Sequence, residues 1–224
     1  MITENESHRC YSARFSWLQS EVREILQCRS GHESSTESYS NFGLINPASE
    51  FSYWRPTRWL ARFTDARLGA FPASRRLEQA WLAIHRAEAE IAGADAWTGR
   101  PFALFLTLDC PLGTTVAAGP ELVKALIDGT VAAFQGSSPA GRLAQAAARI
   151  AATTGEEPGL MTHLLADAKR AVLGATGILV HLRGEGVQWN PADHLCVAAQ
   201  LLITQTAGNT WTLSGAIHAA EQRG

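Results

Sequence analysis

The stretch "PFALFLTLDCP", residues 101–111, constrains the fold more than any other part of the chain. It is nearly continuously apolar, yet far shorter than the roughly 20 residues a membrane-spanning helix needs. Prolines bound it at both ends. It reads as a buried strand ending at Asp109, and a strand apolar on both faces requires cover from other layers. A chain of 224 residues, 46% hydrophobic and 18% charged, is long enough to supply that cover.

The remaining segments supply helices before and after this strand, then more strands. Residues 12–28 space Phe15, Leu18, Val22 and Ile25 at helical intervals. A polar stretch, "RSGHESSTESYSN", follows as a linker, so residues 1–50 read as a helical N-terminal appendage and 51–224 as the main domain. "RPTRWLARFTDARLG" opens with Pro56 and stops at Gly69, which predicts a short helix. Leu77, Trp81, Ile84, Glu88 and Ile91 recur at steps of three and four, predicting a longer one with Ser74 as its N-cap. Helices are predicted at about 120–135, 141–153 and 158–173, and a short strand in "TGILVHLRGEG". "HLCVAAQLLITQ" and "TWTLSGAIHA" form two extended runs around "TAGN", a hairpin signal. This order predicts an α+β domain, a small mixed sheet flanked by helices, rather than a βαβ repeat.

Charge and cysteine content narrow the function classes. The formal charge is −2 and the pI about 6.4, which argues against a surface that binds nucleic acid all over. Locally, six arginines between Arg55 and Arg76 face a single acid, Asp65. The first ten residues are polar and acidic, unlike a secretory signal, and four scattered cysteines form no disulfide framework. Both features point to a cytoplasmic protein with no membrane partner. His8, Cys10, Cys28 and His32 offer four zinc donors, but seventeen residues separate the cysteines, too far for the usual ligand pairing. Walker, nucleophile-elbow, zincin and dinucleotide fingerprints are missing from the sequence.

The segment "GPELVKALIDGTVAAFQ" carries the charges of most interest. At 100° per residue, Glu121, Lys124 and Asp128 share an arc of roughly 60°, opposite an arc of Leu122, Val123, Leu126, Ile127 and Val131. Amphipathic packing alone accounts for that pattern. A metal site would need further oxygen ligands, and Asp109 at the strand end and Asp193 in "WNPADH" are the candidates to join Asp128 around Mg²⁺.

"PFALFLTLDCP", a loop, "ELVKALIDG" and the later "GVQWNPADHLCVAAQLL" resemble the RusA-type Holliday-junction resolvases over about residues 101–203. That family's acids bind Mg²⁺, and its homodimer cuts branched DNA. The resemblance implies that Lys124 and Asp128 match the family's Lys-x-x-x-Asp and that Asp193 matches its later acid. The family's two leading aspartates fall at Ala118 and Pro120, and its asparagine at Glu121. The implied protein is DNA-associated with a degenerate Mg²⁺ site, its catalytic residues if active being Asp128, Asp193, Lys124 and Glu121. Arg55, Arg58 and Arg62 would line one face of the predicted short helix, among aromatics, as nucleic-acid contacts. The second expectation is a non-catalytic subunit of a homo-oligomer or larger assembly, paired through the extended runs at 194–217.

Overall fold

A computed structural model describes residues 10–16, 27–29, 41–43, 54–69, 71, 73–93, 97–114, 116, 119–137, 142–175 and 177–222. The strands are β1 (Cys10–Ser16), β2 (Gln27–Arg29), β3 (Asn41–Gly43), β4 (Trp54–Gly69), β5 (Ala89–Ile91), β6 (Phe102–Pro111), β7 (Val180–Arg183), β8 (Gly186–Trp189), β9 (Cys196–Thr206) and β10 (Trp211–Gln222). The helices are α1 (Arg76–Arg86), α2 (Pro120–Ala133), α3 (Leu143–Thr154) and α4 (Pro158–Leu165). Six strands form one mixed sheet in the order β1-β9-β6-β10-β4-β5, and β2-β3 and β7-β8 form two-stranded sheets. Within the large sheet β6 and β9 are parallel, while the other neighbours are antiparallel. The architecture is α+β.

The proline-bounded run is strand β6, at the centre of the sheet. Phe102, Leu104, Leu106, Leu108 and Cys110 join the buried residues of all four helices in one core cluster. On the other face Ala103 is buried, but Phe105, Thr107 and Asp109 are only partly covered. The apolar run is thus fully enclosed at its start and one-sided towards Asp109. Each fully buried leucine stabilises the fold by about 1.5–3 kcal/mol in transfer terms.

Several expectations change. The predicted short helix at 56–69 is β4, a strand of 16 residues. Its alternation is broken by register shifts against β10. Phe63 pairs with Gly215 and Ala66 with Leu213, so Thr64 and Asp65 together oppose Ser214. Asp65 takes φ +53° and its N–H donates to Ser214 Oγ at 3.0 Å. Such a bulge shifts the inward side chains by one place, which turns a period of two into helix-like spacing. Among the described residues Pro56 sits where β4 has no outer neighbour, since β5 pairs only with residues 61–63. A sheet tolerates the missing N–H there.

Strands β9 and β10 do not form a hairpin. β6 lies between them, and both are interior strands, so the run 194–217 offers no free pairing edge. The long helix ends at Arg86, Glu88 lies beyond it and Ile91 belongs to β5; its N-cap is Arg75, without a side-chain cap bond, rather than Ser74. Of the predicted N-terminal helix, residues 12–16 and 27–28 are strand, and 17–26 lie outside the described residues. The side chains of the zinc candidates His8, Cys10, Cys28 and His32 also lie outside them.

Candidate charged site between helix α2 and the segment before β9

Helix α2 begins as its sequence dictates, with Gly119 at the N-cap, Pro120 at the first position and Glu121 in the first turn. Leu122, Val123, Leu126, Ile127 and Val131 are buried, as the apolar arc requires. Asp128, however, is also buried, at 8% exposure, and so are Gly129 and Thr130. Two distant segments close over the second half of the helix. On one side α1 crosses so tightly that a Cβ on Gly129 would lie 2.8 Å from Ala80 Cβ and 2.9 Å from Leu77 O. On another, the residues ahead of β9 approach, and the Ala192 N–H donates to Gln135 Oε1 at 2.9 Å.

That approach delivers Asp193, the first residue of a 3₁₀ turn over Asp193–Leu195. The hairpin end upstream is held by Trp189, whose Nε1–H donates to Glu78 Oε1 at 3.1 Å and whose ring packs 5.2 Å from Trp81. Sequence reasoning did not single out Glu78, Trp189 or Gln135 as positioning residues. Nothing in their local pattern announces contacts made 57 and 111 residues away.

The Lys124 ammonium lies between the two aspartates. It is 2.9 Å from Asp193 Oδ2 and 3.1–3.2 Å from the Asp128 carboxylate. Burial pushes the Asp128 carboxyl up to about 6 from 3.8, because loss of water outweighs the attraction of Lys124, and the Asp193 charge pushes the same way. Desolvation pulls Lys124 down, but hydrogen bonds and charge attraction from Asp193 and Asp128 together leave it raised. Burial pushes the neighbouring Cys196 thiol well up, the charges of Asp193 and Asp128 adding to it. Two carboxylates with one ammonium carry a net charge of −1, against −2 for a bare pair.

Asp109 is not part of this group. Its carboxylate accepts hydrogen bonds from Thr204 Oγ1 on β9 and from Thr212 Oγ1 on β10, the latter at 3.3 Å. It is a cross-strand polar rung. Glu121 stands exposed one turn before Lys124, and Ala118 lies outside the described residues. Among the described residues no three His, Cys, Asp or Glu side chains converge as a metal cluster. Asp128 and Asp193 are two carboxylates bridged by the Lys124 ammonium.

The three candidate arginines do not share one face. Arg62 lies opposite Ala216, ion-pairs with Glu90 at 2.5 Å and stacks 5.0 Å from the Trp59 ring. Arg58 lies against Trp97, a member of the main core cluster, on the helix side of the sheet. Arg55 faces Glu221 across the strands. No helix among the described residues is long and apolar enough to cross a membrane. No family model, no curated protein and no solved structure matches this chain.

Proposed function

We propose that this chain is a nucleic-acid-associated protein on a RusA-like scaffold, in which the Lys124 ammonium stands where resolvases hold a divalent cation. The observation that carries the reading is the position of Lys124 Nζ, within 3.2 Å of both Asp128 and Asp193. An ammonium there satisfies the paired acids with one charge. It leaves the pair too weakly negative, and too fully occupied, to recruit Mg²⁺ and activate a water. The two acids that fit the resemblance are brought together from elements 65 residues apart in sequence, consistent with a retained scaffold. Exposed arginines on and near β4 supply cationic groups for a phosphate backbone.

Metal-independent binding tests this reading. In EDTA, the protein should shift a labelled four-way DNA junction, with affinity falling steeply as salt rises. Absence of any binding at low salt would overturn the reading and leave the assembly-subunit alternative standing.

A further inference from the structure

Three clusters outside the charged site invite a role. A cavity of about 560 Å³ lies between Ser137, Arg142 and the β7 strand. Half-buried His85 packs edge-on against Trp81 near the Arg170 charge. The third, around Trp97, carries an argument. Trp97 is fixed at both ends: its N–H donates to Val172 O at 2.5 Å and its Nε1–H to Pro101 O at 2.8 Å. Two exposed guanidinium groups rest on this one ring, Arg58 at 5.4 Å and Arg100 at 4.8 Å from its centroid.

Neither arginine forms an ion pair with a carboxylate among the described residues, whereas Arg62 is neutralised by Glu90 and Arg86 by Glu156. Two like charges pinned to one indole lie within about 10 Å, comparable with the Debye length of about 8 Å in physiological salt. An anion placed across them relieves that repulsion, and stacking on the ring holds the guanidinium forks before it arrives. Trp97 itself is 9% exposed, so its ring is not available to stack on a base. Arg58 and Arg100 are both exposed, which suits contact with an extended polyanion.

We infer that Arg58 and Arg100, held on Trp97, form a sequence-independent contact to a nucleic-acid phosphate backbone, and that Arg62 takes no part. The inference rests on the nucleic-acid reading above and assigns it a surface. It is tested by fluorescence anisotropy with a labelled 30-base-pair duplex across a salt series. The R58Q/R100Q double variant should bind on the order of tenfold more weakly, with the log–log salt slope reduced by about two. The R58K/R100K variant should keep the wild-type slope, and R62Q should stay within about twofold of wild type. The single R58Q and R100Q variants, each expected to lower the slope by about one, carry the test if the double variant does not fold. Wild-type binding with an unchanged slope in the Gln variants overturns the inference alone, as does an R62Q loss equal to the double variant's. Failure of the wild type to bind the duplex while it binds the four-way junction overturns this surface alone, and failure to bind either overturns the functional reading and this surface with it.

Discussion

At the scale of single residues, two largely covered titrating groups pull the protein's pH response in opposite directions. Asp128 has a folded pKa of about 6 against 3.8 for the free group. Its raised value means that the folded state holds the proton more tightly than the unfolded chain. Asp128 therefore adds stability as pH falls from above 6 towards 3.8, worth about 3 kcal/mol at 1.36 kcal/mol per unit. His85 is lowered to about 4 from 6.5, by burial first and then by the nearby Arg170 charge. Its contribution is fully present above pH 6.5 and is lost, by a similar amount of about 3 kcal/mol, as pH falls to about 4. The two terms nearly cancel in the same window. D128N removes one of them, so its stability by urea unfolding should fall more steeply between pH 7 and 4.5 than wild type does. A variant whose pH profile parallels wild type would show that Asp128 is not the raised carboxyl. Lys124 acts on the same group from its exposed side. K124M should raise the Asp128 pKa further, visible by NMR titration of the carboxyl carbon, because an attractive charge is removed from a buried acid.

At the scale of elements, helix α1 crosses helix α2 tightly at Gly129. A G129A substitution would bring a methyl within 2.9 Å of the Leu77 carbonyl oxygen, backbone that cannot swing aside. It should cost about 1–3 kcal/mol of stability despite the better helix propensity of alanine. A neutral or stabilising result in thermal unfolding would contradict the tight crossing. The same elements show what the sequence made legible. The central strand and helix α2 were readable because each carries a clean pattern over ten residues or more, with prolines and glycines marking the ends. β4 was not. Its bulge at Thr64–Asp65 breaks the period of two, so the buried Phe63 is followed by buried Ala66 three residues later, a helix-like step. The β9–β10 pair had a hairpin's turn residues, but the insertion of β6 between them is a tertiary choice that no local pattern encodes.

At the scale of the molecule, the α+β class followed from the order of elements, while the site depended on contacts between distant ones. Lys124 and Asp128 were legible as an i, i+4 pair on one helix. That Asp193 would complete the group, and Asp109 would not, is decided by the Trp189–Glu78 and Ala192–Gln135 bonds and by the threonines flanking Asp109. The burial of Asp128 was hidden for the same reason: a helical wheel shows which side chains share an arc, not which arc another segment covers. The most direct test is a denaturing gel of a labelled four-way DNA junction incubated with the protein in 10 mM Mg²⁺, at concentrations that saturate binding in EDTA. The account predicts uncut junction, the same for wild type and D128N. Mg²⁺-dependent cleavage by wild type that disappears in D128N would contradict it.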